Sequence, residues 1–251
     1  MDDSQLLRYS RHILLPELGP DAQEKFSSAQ ALLIGMGGLG APAAHFLAAA
    51  GVGRLTVCDA DRVDLTNLQR QLLYATADIG MAKVDAAAAR LSAVNPEVDV
   101  VRIPQRVEAA ELAPLVDAAD VVLDCTDNFT TRHAINRACV AARKPLVSGA
   151  ALRFDGQIAV FDVRDPASPC YHCLFGEGDE IEETRCATMG VFAPLVGIVG
   201  ATQAAEALKL IAGVGATLAG RLLLLDALAM QWREVRVPRD VECPVCRGRA
   251  E

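Results

Sequence analysis

A chain of 251 residues that is 52% hydrophobic can bury a core of domain size, and with aromatics at 4% that core must be built from Ala, Val, Leu and Ile. A net charge of −8 argues against a nucleic-acid binder, which needs a basic surface. Asp2 and Asp3 interrupt the opening residues, so no secretory signal is read and a cytoplasmic protein is expected; its eight cysteines then point to metal or catalytic thiols and not to disulfides.

Residues 4–30 read as an amphipathic entry segment, helical in part. Residues 31–34 form a short apolar strand, 35–40 a glycine turn and 41–50 a small-residue helix ended by Gly51 and Gly53. The stretch 31–53 carries no Asp, Glu, Lys or Arg and is long enough to suggest a membrane span. Its glycines and proline instead mark strand, turn and helix of a buried unit, so no membrane segment is predicted. A strand follows at 55–59, a helix at 78–95 stopped by Asn95-Pro96, and a strand at 98–103. Residues 108–118 read as a helix, 121–124 as a buried strand, 130–142 as a helix and 145–148 as a fifth strand. This alternation predicts an α/β fold with a Rossmann-like, largely parallel sheet and helices on both faces.

Beyond residue 150 the pattern changes. Residues 157–162 read as a strand paired antiparallel with 222–226. The acidic stretch 177–185 reads as a loop, 196–212 as an apolar helix, 213–220 as a glycine-rich turn, and 231–237 as a last strand before a cysteine-bearing tail. One continuous domain over residues 1–251 is expected, with an antiparallel C-terminal extension.

Gly35-Met-Gly37-Gly38-Leu-Gly40 lies between a strand and a helix, where glycines let backbone approach phosphates and the helix N-terminus favours an anion. Asp59 ends the next strand, 24 residues beyond Gly35, where an acid can accept from ribose hydroxyls. By itself this pattern fits a dinucleotide as well as a nucleotide, so a nicotinamide-dependent oxidoreductase is one reading. His12, His45, His133 and His172 are all poor proton-transfer groups for it. Asp61, Thr66-Asn67-Leu68-Gln69-Arg70 and Lys83 follow, and Asp127-Asn128 comes directly after the fourth strand. The glycine turn, Asp59 and Asp127 should all face the crevice outside the carboxyl ends of the strands, where open α/β sheets bind ligands. Were the ligand ATP, Arg70 and Lys83 would supply fixed cations and Asp127 a ligand for Mg²⁺. The bland alternatives are solvated helix charges for the two cations and a helix N-cap for Asp127 or Asn128.

Cys170-x-x-Cys173 and Cys243-x-x-Cys246 form two chelating pairs that suit a structural zinc pinning the tail to the middle of the chain. A redox pair or core thiols are the rivals; a zinc scaffold without enzymatic activity is a third overall reading. Cys58, Cys125 and Cys139 read as small core residues.

Taken together, Gly35 to Gly40, Asp59-x-Asp61, Asn67-Leu-Gln-Arg70, Lys83, Asp124-Cys-Thr-Asp127-Asn128 and the paired cysteines resemble the E1-like adenylyltransferases of the MoeB and ThiF type, from Leu7-Arg-Tyr-Ser-Arg11 to Cys246. The resemblance implies a homodimer that binds ATP and Mg²⁺ and adenylates the Gly-Gly tail of a ubiquitin-like sulfur carrier, MoaD or ThiS. It makes residues 1–150 a nucleotide-binding half and 151–251 a carrier-binding, zinc-stapled half. It places Gly38, Asp59, Asn67, Arg70 and Lys83 on ATP, Asp127 on magnesium, and Arg11 on the neighbouring protomer's nucleotide. A cysteine such as Cys186 can link covalently to the carrier in related enzymes, with Arg185 beside it. Ser148-Gly-Ala-Ala-Leu-Arg153 and Val191-Phe-Ala-Pro-Leu195 look closer to MoeB, and Arg8-Tyr-Ser-Arg11-His-Ile-Leu-Leu15 closer to ThiF. A separate sulfurtransferase is a possible partner, since no rhodanese segment follows Glu251. Carrier docking is expected near Phe192 and Leu195, and residues 174–190 are expected to cover the tail.

Overall fold

A computed structural model describes residues 1–177 and 189–248. Three N-terminal helices, α1 (Asp3–Arg8), α2 (Ser10–Ile13) and α3 (Gly19–Ser28), lead into β1 (Gln30–Ile34). Then come α4 (Gly40–Ala50), β2 (Arg54–Cys58), α5 (Lys83–Val94), β3 (Asp99–Ile103), α6 (Ala109–Ala118), β4 (Val121–Asp124) and α7 (Phe129–Ala142). The second half holds β5 (Leu146–Leu152), β6 (Asp155–Phe161), α8 (Tyr171–Leu174), α9 (Ala193–Ala212), β7 (Arg221–Asp226) and β8 (Gln231–Arg236).

The eight strands form one sheet in the order β3-β2-β1-β4-β5-β6-β7-β8. Pairing is parallel from β3 to β5 and antiparallel from β5 to β8. The predicted antiparallel pair is present, with Asp155 opposite Asp226 and Ala159 opposite Leu222. Alternation along β1 shows why the parallel strands read as unbroken apolar runs. Ala31 and Leu33 pack into one core with α4, α5 and α9, whereas Leu32 and Ile34 pack into another with α6 and α7. Each face of the sheet therefore carries its own helical layer. Among the described residues α9 is the helix long and apolar enough to cross a membrane; it lies in the core against α4 and β5.

Local sequence sets the ends of these elements. Gly51 closes α4 in the left-handed region, at φ 82°, and a Cβ there would lie 2.6 Å from the Tyr9 ring. Tyr9 is buried in that notch, and its hydroxyl meets Glu97 at 3.1 Å and Asn95 at 2.8 Å. Asn128 caps α7 by accepting from the Thr131 amide at 2.9 Å.

Two predicted boundaries are corrected. The helix expected at 78–95 begins only at Lys83, because the Val63 amide donates to the Met81 carbonyl and the Gly80 amide to the Val63 carbonyl, both at 2.9 Å. These bonds pull residues 80–82 alongside 61–63. The strand expected at 145–148 runs on to Leu152, since β6 pairs with it along its whole length. Most of the acidic loop expected at 177–185 lies outside the described residues.

Candidate active site and cysteine cluster

The strand order reverses at β1, which has β2 on one side and β4 on the other. At the carboxyl ends of these strands opens a cleft of about 840 Å³. Such a crevice is where open α/β sheets take ligands. The glycine turn forms its floor. Gly35 has φ 92°, and a Cβ on Gly40 would stand 1.9 Å from the Gly35 carbonyl oxygen, so neither position admits a side chain. Gly37 and Gly38 line the cleft itself and expose backbone to whatever enters.

Asp59, Asp61, Thr66, Asn67, Gln69, Arg70, Lys83, Asp127 and Asn128 all line this one cleft, together with Gly38. Arg70 and Asp127, from different elements, thus share a cavity. Leu68 does not line it; it packs partly buried against the core beneath. Arg11 is exposed on α2 and stands apart from the cleft lining. Cys186 lies outside the described residues, as does Arg185.

Hydrogen bonds preset several of these groups. Asp59 accepts from the Met36 amide at 2.7 Å and from the Asp61 amide at 2.8 Å, which fixes its carboxylate against the glycine turn. Lys83 is the first residue of α5, only 5% exposed, and its Nζ donates to Asp61 at 2.8 Å. Arg70 donates to the Thr66 carbonyl of its own turn at 3.0 Å. The 3-10 turn Leu65–Asn67 is held by a capping box in which the Asp64 amide donates to the Asn67 side chain. Tyr74 donates to the Met36 carbonyl at 2.7 Å and ties this segment to the glycine turn; burial pushes its hydroxyl pKa up, with Asp59 adding to the shift. Asp127 is exposed between β4 and α7, directly beyond the strand end.

Sequence reading missed Arg132. It is 7% exposed, lines the cleft behind Asp127, and donates to the carbonyls of Thr126 and, at 3.2 Å, Gly149. Burial, the largest influence, would lower its pKa, but Asp124 at 3.9 Å, Tyr171 and Asp127 together outweigh it and the guanidinium pKa is raised. Asp124 is fully buried and accepts from Ser148 at 3.0 Å and from Thr126.

The four paired cysteines come together at the other end of the sheet. Their sulfurs lie within 4.8 Å of one another. Measured separations are 3.8 Å for Cys170 to Cys243, 3.9 Å for Cys170 to Cys173 and 3.6 Å for Cys173 to Cys246. A tetrahedral zinc with Zn–S bonds of about 2.3 Å has sulfur edges of about 3.8 Å, so this donor set fits the metal. His172 Nδ1 lies 3.7 Å from the Cys243 sulfur, a second-layer contact of the kind that orients ligands. Arg239 donates to the carbonyls of Pro166 at 2.7 Å and Cys246 at 3.0 Å, fastening the tail alongside. Cys58, Cys125 and Cys139 are buried and unpaired as expected; burial pushes the Cys58 thiol up to about 12 and the other two higher. Leu195, in the first turn of α9, is fully buried, so it is a core residue and offers no docking surface. Phe192 is partly exposed and lies 5.0 Å from the Phe154 ring.

A cleft at the switch point of a Rossmann-type sheet, lined by two cations and a strand-end aspartate, suits a nucleotide, and likeness to known proteins gives the class: an E1-like adenylyltransferase. The chain belongs to the ThiF family, whose model matches residues 9–245. It is 44% identical to molybdopterin-synthase adenylyltransferase of Escherichia coli over 249 residues, covering 98% of each chain. It is 46% identical to the sulfur carrier protein ThiS adenylyltransferase of the same organism over 249 residues, covering 99% of this chain and 98% of that one. The fold superposes on E. coli MccB in its crystal structure with MccA at a TM-score of 0.85 and 22% identity, over 98% of this chain and 75% of that one. Membership of an adenylyltransferase family sets aside the oxidoreductase and scaffold readings.

Proposed function

We propose that the protein joins the C-terminal carboxylate of a ubiquitin-like sulfur carrier to AMP, taking ATP and releasing pyrophosphate, in the cytoplasm. The observation that carries this reading is the meeting of Gly37, Gly38, Arg70, Lys83 and Asp127 in one cleft. The glycine turn offers backbone to the phosphates and Asp59 an acceptor to the ribose. Arg70 and Lys83 stand where charge develops on the departing pyrophosphate, fixed before reaction by Thr66 and Asp61. The carrier carboxylate attacks the α-phosphorus; an acyl–oxygen–phosphorus bond forms and the bond to pyrophosphate breaks. An α-carboxyl with a pKa of about 3.3–3.7 is already ionised at neutral pH, so no general base is required. Asp127 would hold a hydrated Mg²⁺, which neutralises phosphate charge and keeps most of its waters. Zinc at Cys170, Cys173, Cys243 and Cys246 is structural, because all four positions are protein thiolates and none is open to substrate.

The far end of the cleft is lined by Ala150, Ala151, Gly156, Gly190 and Val191, small groups that leave room for a Gly-Gly tail. The two segments resembling MoeB contribute Ala150, Ala151, Leu152 and Val191 to this end. That favours a carrier of the MoaD type, in molybdopterin biosynthesis, with ThiS the second reading. A homodimer, in which Arg11 reaches the neighbouring nucleotide, completes the site; a sulfurtransferase acts on the activated carrier afterwards. The test is exchange of labelled pyrophosphate into ATP with MoaD and ThiS side by side. Exchange dependent on MoaD supports the reading, and exchange driven by free amino acids with neither carrier active sinks it.

A further inference from the structure

The cysteine cluster and Asp127 sit at opposite ends of one helix, and the contacts between them form a connected path. α8 carries Tyr171 between Cys170 and Cys173. The Tyr171 amide donates to Asn136 Oδ1 at 2.9 Å, and Asn136 Nδ2 reaches the Cys170 sulfur at 3.6 Å. The Tyr171 ring meets His133 edge-on with centroids 5.3 Å apart. Its hydroxyl is buried against the Arg132 guanidinium without a hydrogen bond of regular geometry. Arg132, His133 and Asn136 are neighbours on the buried face of α7. From there Arg132 reaches back past the N-terminus of α7 to hold the Thr126 carbonyl, the group immediately before Asp127. Its second carbonyl partner, Gly149, lies on β5. The strand-end loop and β5 are thus fixed to one buried cation, which also faces Asp124 at 3.9 Å and the tyrosine of the cysteine knuckle.

We propose that Arg132 and Tyr171 are positioning residues: the cysteine knuckle presses Tyr171 onto Arg132, and Arg132 fixes the loop that presents Asp127 to the cleft. The inference rests on the proposed role of Asp127 only for its catalytic meaning; the mechanical linkage stands on the contacts alone. Neither side chain is placed on substrate. Zinc, on this view, sets the geometry of a site across the helix from it.

Backbone amide hydrogen exchange over residues 126–131, read by mass spectrometry on the full metal-loaded chain, tests the linkage without using activity. Arg132→Met should raise exchange there by about tenfold while amides of β1 and β4 keep their protection, and Arg132→Lys should restore part of it. Tyr171→Phe and Cys246→Ser should move the same amides in the same direction by about threefold. In parallel, the Mg²⁺ concentration giving half-maximal pyrophosphate exchange should rise severalfold in Arg132→Met and in Tyr171→Phe, with the KM for ATP unchanged. Unchanged protection of residues 126–131 in Tyr171→Phe and Arg132→Lys, or equal loosening of the whole sheet, overturns the proposal. Should wild type show no carrier-dependent exchange, the proposed function fails and the hydrogen-exchange arm still decides the linkage. If Arg132→Met does not fold, Tyr171→Phe and Arg132→Lys carry the test.

Discussion

The two ends of this sheet are held by different physics. Apart from its edge strand β3, the parallel half is buried on both faces, and its stability comes from Leu32, Leu33, Leu55, Leu123 and their neighbours. The antiparallel half ends in β8, every residue of which is exposed, and the buried cluster beyond it consists of Val163 and three cysteines. An apolar core can position a cleft to within the tolerance of close packing. A tail of a dozen residues has too little to bury, and four thiols gathered at metal-site spacing join it to the middle of the chain. Cysteine thus plays different parts in the two halves: a small apolar filler in one, a member of a candidate metal site in the other.

Substitutions can break that contrast. The largest effect is expected from Asp127→Ala, which should abolish carrier-dependent pyrophosphate exchange while leaving the thermal midpoint where it was, since the side chain is exposed. Arg70→Ala should cost about 2.7–4 kcal/mol in the barrier, measured as kcat/KM, if it is a preorganised charge. In the other half, Cys243→Ser should reduce zinc, by atomic absorption, to background and lower the thermal midpoint, where each kcal/mol lost is about 2–4 °C for a chain of this size. Asn128→Ala should cost about 1 kcal/mol of stability through the lost cap of α7. Full exchange activity in Asp127→Ala, or full zinc in Cys243→Ser, would remove the residue from its assigned role.

The smallest effect is a matter of pH. Cys58 has its thiol raised from the ordinary 9.0 to about 12, by burial first and then by the nearby Asp59 charge. Cys125 and Cys139 are raised further, again chiefly by burial. A raised folded pKa gives stability that is complete below the unfolded value and drains as pH rises above it. The denaturant midpoint should therefore hold between pH 7 and 8 and fall by pH 10. In a Cys186→Ser background, removing the metal at pH 8 should expose the four clustered thiols to iodoacetamide while these three stay unmodified.

Much of the nucleotide half was legible because its constraints are local. A tight turn between strand and helix demands glycine, and an acid at a strand end announces itself by position, so Gly35 to Gly40, Asp59 and Asp127 stand out. The paired cysteines were equally plain from spacing. Arg132 was not, because its partners are carbonyls at Thr126 and Gly149 that no pattern specifies. A signal existed: residues 132, 135, 136 and 139 form one helical stripe, and an arginine inside a buried stripe is costly unless something holds it. The false start of α5 at residue 78 has the same origin, since the bonds from Gly80 and Val63 are tertiary and outweigh propensity. Leu195 reads as surface because α9 is expected to begin at residue 196; it begins at Ala193, and that extra turn carries Leu195 into the core.

The Tyr9 notch at Gly51 carries one more consequence. A phenol ring clasped at three points turns the first residues of the chain from a loose leader into a stiff bracket. Arg11 stands two residues along that bracket, so its backbone is already arrested before anything touches it. Whatever surface meets that guanidinium has little freedom left to extinguish, and a methyl group at position 51, by evicting the ring, would return that freedom from some distance away.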